Sequence, residues 1–151
     1  MSRITENVKR ELGVRPPASS CIGAKGKRDA NWHVPAHYRL EVWQEAMALV
    51  ERVYSHTAEM PLAERFNLIE QLQRAAVSVP SNIAEGAGRG SRADFARFLL
   101  IARGSLMELD TQVLLASNLG ILESPDSLQP DIYRLLAKLN NLIRVQRRHS
   151  P

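Results

Sequence analysis

The sequence predicts an all-α protein, an up-down-up-down four-helix bundle, from three observations. Apolar residues recur at steps of three and four residues and nowhere alternate for long with polar residues, as they would in a strand. Prolines and glycines divide the chain after residue 36 into four such segments. With 151 residues, 44% of them hydrophobic, the chain is large enough to build one core. Four amphipathic helices joined by short loops form such a bundle.

The first predicted helix runs from about Tyr38 to Glu59, and Pro61 ends it. Apolar side chains fall on one of its faces and glutamates on the other, as in a helix that covers a core. The predicted core face consists of Trp43, Ala46, Met47, Val50, Val53 and Tyr54.

The second predicted helix contains a proline. Its apolar residues keep a helical phase on both sides of Pro80, which predicts one helix with a kink at that residue. A proline inside a helix costs about 3 kcal/mol and leaves the carbonyl of Ala76 without its donor. We expect Ser78, Ser81 and Asn82 to satisfy the freed groups. The apolar stripe is Phe66, Ile69, Leu72, Ala76, Val79 and Ile83.

The third predicted helix begins at Ser91, because Ser91 and Asp94 form the S-x-x-[DE] capping pattern, and it ends at Gly120. A second apolar line outside its core face predicts burial against another subunit. This line is Leu100, Met107 and Leu114, and the predicted core face is Phe95, Phe98, Leu99, Ala102, Leu106, Leu109, Val113 and Ala116. The fourth helix begins near Pro130 and buries Ile132, Leu135, Leu136, Leu139, Leu142 and Ile143.

The N-terminal residues 1–36 are predicted to be a flexible basic arm, and residues 37–149 the bundle domain. The net charge of +4 lies in the first thirty residues, because acidic and basic residues balance in the rest. The arm has few large apolar residues, and it is interpreted either as a solvated tail or as a nucleic-acid-binding segment. A single cysteine, Cys21, forms no internal disulfide. With no signal peptide or membrane span in the pattern, the sequence favours the cytoplasm.

Three stretches resemble a known family. YRLEVWQEAMALVERVY, RAAVSVPSNIAEG and FLLIARGSLMELDTQ, within residues 38–148, resemble the bacterial four helix bundle proteins, also called 23S rRNA-intervening sequence proteins. The resemblance implies a helical bundle that assembles into rings, commonly pentamers, with no settled activity. By analogy with a related bundle that associates with a reverse transcriptase, it also implies an RNA- or DNA-binding role.

The loop GAGRGSR between the second and third helices has two interpretations. In the first it only connects helices: Gly86 or Gly88 supplies a left-handed cap, Gly90 permits the turn and Ser91 caps the next helix. In the second, Arg89, Arg92 and Arg97 around a helix N-terminus attract phosphate, although Asp94 opposes this. The pattern favours the first interpretation. The loop is not a nucleotide-binding motif, because it lacks a Lys-Ser/Thr ending and follows a helix.

No catalytic, metal or cofactor site is predicted. The histidines are His33, His37, His56 and His149, and their surroundings in sequence lack further metal ligands. Pro80, Ser81, Asn82, Glu85 and Gly86 form a motif that the family resemblance shares. Its polar residues are interpreted as hydrogen-bond partners at the kink, because one carboxylate supplies neither a metal site nor an acid-base pair.

The charge pattern leads to the functional prediction. Residues 38–85 are acidic, whereas residues 86–105 and 130–151 are basic, with Arg144, Arg147 and Arg148 near the chain end. These arginines, with Arg89, Arg92 and Arg97, are the predicted RNA or DNA contacts. The predicted protein is a non-catalytic homo-oligomer, a pentamer by resemblance, without a membrane or small-molecule partner. The alternative is a purely structural oligomer or protein-interaction scaffold that binds no nucleic acid.

Overall fold

A computed structural model describes residues 35–61 and 65–148, and within these ranges the protein is all-α. The predicted fold class is therefore confirmed at the level of helices without strands. The four long helices are α1 (Glu41–Thr57), α2 (Glu70–Gly88), α3 (Arg92–Asn118) and α4 (Gln129–Arg148). Short 3-10 turns lie at Ala36–Arg39 and Pro125–Ser127, and a π-helical turn at Arg65–Ile69 leads into α2. Most of the predicted arm, residues 1–34, lies outside the described residues.

The helices pack around one aliphatic core. Helices adjacent in sequence contact each other, and α1 also contacts α4. Side chains at helical spacing from all four helices are almost completely buried, which is how amphipathic helices remove apolar surface from water. The largest of them are Leu72, Ile83, Leu99, Leu106, Leu109, Ile132, Leu135 and Leu139, and Leu128, just before α4, is buried with them. Within the described residues, no helix has an apolar stretch long enough to cross a membrane.

The predicted core face of α1 was partly wrong. Val42, Ala46, Leu49 and Val53 are buried, whereas Met47 is 38% exposed and Tyr54 45% exposed. The helix carries two apolar lines, and the line through Leu49 faces the core. Residues of the other line turn towards α2, where Trp43, Met47 and Val50 line a shallow groove with Val77, Pro80 and Ala84. A single apolar stripe could not be chosen from periodicity because both lines are helical.

Helix α2 continues across Pro80, which is buried. Ser81 Oγ donates to the carbonyl of Val77, and Asn82 Nδ2 donates to the carbonyl of Ser78, both at 2.8 Å. These bonds go to neighbouring carbonyls rather than to that of Ala76, the one predicted to lose its donor. The hydroxyls of Ser78 and Ser105 lie 2.8 Å apart, so this segment also links α2 to α3.

The connection from α2 to α3 corrects the prediction for the glycines. Gly90 has the left-handed backbone conformation, with φ of 75°, and Gly86 and Gly88 do not. Gly86 is buried inside α2, where an added Cβ would lie 2.6 Å from Cβ of Phe98. Its role is therefore to let α2 and α3 approach closely. The predicted cap is confirmed, since Ser91 Oγ accepts a hydrogen bond from the Asp94 amide at 3.1 Å.

Capping residues also define the end of α3 and the start of α4. At the end of α3, Ile121 donates its amide proton to Ala116 and Gly120 to Ser117, both at 2.9 Å, with φ of 70° at Gly120. This is a Schellman motif, which satisfies the last carbonyls of the helix. Helix α4 has Pro130 in its first turn, as predicted, and buries Ile132, Leu135, Leu139 and Ile143. Leu136 and Leu142 are half-buried.

Candidate nucleic-acid interface

Two of the predicted arginines near the start of α3 pack on one aromatic ring. The guanidinium carbons of Arg89 and Arg97 each lie 5.2 Å from the centroid of Phe98, within the range of a cation–π contact. Arg89 also pairs with Glu85, and Nε of Arg97 lies 3.9 Å from Asp94 Oδ1. Phe98 itself is 6% exposed. Both arginines therefore have contacts within the protein that stabilise the α2–α3 connection.

The third arginine of this loop, Arg92, is different. It is the first residue of α3, it is exposed, and it forms no ion pair or hydrogen bond among the described side chains. The cap by Ser91 occupies one amide of this helix end, that of Asp94. A flexible guanidinium at a helix N-terminus remains available to an anion in solution.

The predicted arginines of α4 lie in a groove. Arg144, Arg147 and Arg148 line it together with Arg103 of α3, which was not predicted, and its volume is about 390 Å³. We call this the arginine groove; its lining is Arg103, Asn140, Ile143, Arg144, Arg147 and Arg148. Arg103 donates to Asn140 Oδ1 at 3.2 Å, and Arg144 to Asn141 Oδ1 at 3.1 Å. Sequence reasoning missed Arg103 because its partner lies 37 residues away.

Several basic residues outside the groove, within the part of the chain that the structure describes, are paired with carboxylates. Arg52 and Arg134 both pair with Asp131. Lys138 pairs with Glu41 and Glu45, at 2.7 Å from Glu45, and the hydrogen bonds that its ammonium donates to these two carboxylates raise the pKa of Lys138 above 10.5. In the described part of the chain, no carboxylate lies within ion-pair distance of the four groove arginines. The groove therefore keeps its positive charge.

Some residues of the predicted motif around Pro80 are packed inside the protein, and others are exposed. Asn82 bonds to Ser78, Gly86 contacts Phe98, and Ser81 and Glu85 are exposed. Glu85 serves as the partner of Arg89. The His37 ring contacts the rings of Tyr38 and Trp43, with centroids 4.8 and 5.1 Å away, while His33 and His149 lie outside the described residues. Within the described residues, no group of three or more His, Cys, Asp or Glu could hold a metal.

The chain also matches a known protein family. The family model of 23S rRNA-intervening sequence proteins matches residues 38–143, which include all of α1, α2 and α3 and most of α4. The chain belongs to this family. The predicted resemblance is confirmed. A search of curated proteins found no match.

The long helix α3 of this 23S rRNA-intervening sequence protein is apolar on its outer surface as well as in the core. Of the predicted interface line, Met107 is 51% and Leu114 46% exposed, whereas Leu100 is half-buried against the chain's own core. Further large apolar side chains on this surface are Ile101, Leu115 and Leu119. Sequence reasoning assigned Leu100 to the outer line because a seven-residue step cannot distinguish the margin of a core from free surface.

Proposed function

We propose that this 23S rRNA-intervening sequence protein is a non-catalytic homo-oligomer that binds RNA or DNA through arginines at one end of a helical bundle. The observation that carries the proposal is the arginine groove, where four guanidinium groups lie together without a carboxylate partner among the described residues. Like charges gathered in one groove repel each other unless an anion neutralises them. Phosphates of a nucleic acid can do so. The cytoplasm is the proposed location of this binding.

The proposed helix order is up-down-up-down. Contacts between α3 and α4 support it, because Asp110 bonds to Gln129 and Arg103 bonds to Asn140, so the numbering falls on one helix as it rises on the other. Between α1 and α4, Arg52 contacts Asp131 while Glu45 contacts Lys138, in the same sense. In this arrangement the start of α3 and the end of α4 share one end of the bundle.

We also propose that α2 bends at Pro80. Proline cannot donate to the turn before it, and its ring crowds the carbonyl four residues earlier. The additional hydrogen bonds from Ser81 and Asn82 to that turn are the support for a bend held by side chains.

The two basic clusters then form one surface, which we call the basic end. Among the described residues, Arg92 from α3 and Arg147 and Arg148 from α4 have no ion pair or hydrogen bond, and Arg144 donates a hydrogen bond to Asn141 Oδ1. Arginine presents a planar fork of donors that matches phosphate oxygens. Contacts to phosphate carry charge but little sequence information, so the proposed binding is weakly specific and falls steeply with salt.

A pair of charge-matched double variants tests this function. Arg92→Gln with Arg147→Gln removes two positive charges from the basic end, and Arg74→Gln with Arg134→Gln removes two elsewhere. In fluorescence anisotropy with labelled RNA, we expect the first variant to reduce the slope of log affinity against log salt by about 1.5 to 2. The second variant should leave it unchanged. Equal slopes in both variants, or no binding by the wild type, would reject the proposal.

The oligomer is proposed from the outer surface of α3. Met107, Leu114 and Ile101 expose about half of their surface, and exposed apolar patches of this kind are typical of protein interfaces. The pentamer rests on the family resemblance. Met107→Glu should dissociate the assembly in light scattering, whereas Ala48→Glu, which adds the same charge to an exposed position of α1, should not. A monomeric wild type at micromolar concentration would contradict the assembly.

The second candidate is a structural oligomer or protein-interaction scaffold without nucleic acid. The apolar outer surface of α3 favours it, because such a surface suits a protein partner. One experiment distinguishes the two candidate functions. At low salt, a scaffold keeps its assembly but does not retard RNA or DNA in a gel.

A further inference from the structure

The arginine groove differs from the rest of the basic end in shape. It lies between α3 and α4, with Arg103 on one wall and Arg144, Arg147 and Arg148 on the other. Packed helices are separated by about 8–10 Å, so the furrow between them is narrow. A groove of about 390 Å³ has the size of a small-ligand site, and here it is open along its length.

The groove offers hydrogen-bond donors almost exclusively. The Asn140 carbonyl oxygen accepts a hydrogen bond from Arg103, and the Asn140 amide NH2 and the guanidinium groups are donors. Phosphate oxygens are pure acceptors, whereas base edges present donors as well. Among the described residues, the groove lining contains no aromatic side chain on which a base could stack, and its apolar member is Ile143. The chemistry therefore matches a phosphate backbone and not a base.

The spacing along α4 matches a chain of phosphates. Arg144 and Arg148 are separated by one helical turn, about 6 Å along the axis, so the two can contact successive phosphates of an extended strand. Arg103 would contact the same strand from the opposite wall. A duplex is too wide to enter a furrow between two packed helices and would reach only its exposed rim.

We infer that the arginine groove binds the phosphate backbone of single-stranded nucleic acid, and that Arg103 is a binding residue of this site. The inference rests on the proposed nucleic-acid binding and specifies its substrate class and its location. Arg103 is half-buried and held by Asn140 at 3.2 Å, so its guanidinium is positioned before the ligand arrives. Positioned groups lose less freedom on binding than mobile ones.

The test uses full-length protein and two labelled probes, a short oligouridylate and an RNA duplex of the same length. The variants are Arg103→Gln and Arg74→Gln, which remove the same charge; Arg74 is exposed at the start of α2 and has no ion pair among the described residues. We expect wild type to bind the single strand more tightly than the duplex. Arg103→Gln should weaken single-strand binding by roughly tenfold, because one charge-assisted contact is lost. Arg74→Gln should change it less than about twofold.

Two outcomes overturn the inference while the proposed function stands: duplex binding at least as tight as single-strand binding, or equal losses in Arg103→Gln and Arg74→Gln. If neither probe binds wild type at low salt, the proposed function fails as well. Circular dichroism shows whether Arg103→Gln is folded. If it is not, Arg103→Lys provides the same test, because it keeps the charge but loses the planar fork, and we expect a loss smaller than tenfold but measurable. Wild-type affinity in a folded Arg103→Lys would then overturn the inference.

Discussion

Arg89 and Arg97, near the start of α3, differ from the arginines of the arginine groove in what surrounds their charge. Arg89 and Arg97 contact the ring of Phe98 and lie near Glu85 and Asp94, respectively. Arg147 and Arg148 line an open groove with no carboxylate in ion-pair range among the described residues. The same side chain therefore stabilises the fold in one region and remains available to a ligand in the other. Position in the sequence did not distinguish the two uses.

The largest effect on stability is expected at Gly86, which packs against Phe98, the ring that Arg89 and Arg97 contact. Gly86→Ala would place a Cβ 2.6 Å from Cβ of Phe98, and neither atom can move without shifting its helix. We expect a loss of about 1–3 kcal/mol in the free energy of unfolding, measured by urea denaturation.

Gly88→Ala is the matched control for this experiment. An added Cβ there meets no atom within 4 Å, so this variant should be as stable as wild type or more stable by up to about 1 kcal/mol. Equal stabilities of the two variants would show that α2 and α3 are not in close contact at Gly86.

The next effect separates the two groups of arginines directly. Arg97→Gln should lower the free energy of unfolding by about 0.5–1 kcal/mol, because it loses the cation–π contact with Phe98. Arg147→Gln should leave stability unchanged or raise it slightly, since it removes repulsion in the groove. Urea midpoints of the two variants, compared at low salt, provide the measurement. A larger loss for Arg147→Gln would reverse the assignment of the two regions.

The smallest effect concerns Lys138, a cation that is paired and lies outside both groups. Hydrogen bonds that it donates to Glu41 and Glu45 raise its pKa in the folded state above the ordinary 10.5. A group whose pKa is raised by folding stabilises the fold fully at pH values below its unfolded-state pKa. This contribution is lost as the pH rises through its folded-state pKa. Lys138→Met should therefore be less stable than wild type near neutral pH, with a difference that shrinks above pH 10.5. A difference that grows with pH would contradict this pairing.

The sequence predicted those features that depend on neighbours within one helix. The stripe through Leu72, Val79 and Ile83 is buried, and the Ser91 cap forms as expected, because helical period and capping act over a few residues. The nucleic-acid-binding assignment of Arg92 and Arg147 remains a prediction.

Features that depend on the register between helices were not predictable. Gly86 packs against Phe98, which is 12 positions later in the chain. Because this contact is not visible in the sequence, Gly86 was interpreted as a helix cap. Arg103 meets Asn140 across the α3–α4 contact, 37 residues away. On α1 the two apolar lines were equally helical, and only packing against the other helices decided that Leu49 is buried and Met47 exposed.

The central claim is that the groove arginines, and not the arginines on Phe98, contact nucleic acid. The most direct measurement is the salt dependence of affinity for labelled oligouridylate in wild type, Arg147→Gln and Arg97→Gln. For Arg147→Gln we predict a slope of log affinity against log salt that is lower than in wild type by about 0.7, the value for one lost phosphate contact on a single strand. Arg97→Gln should retain the wild-type slope. A reduced slope in Arg97→Gln with an unchanged slope in Arg147→Gln would contradict the account.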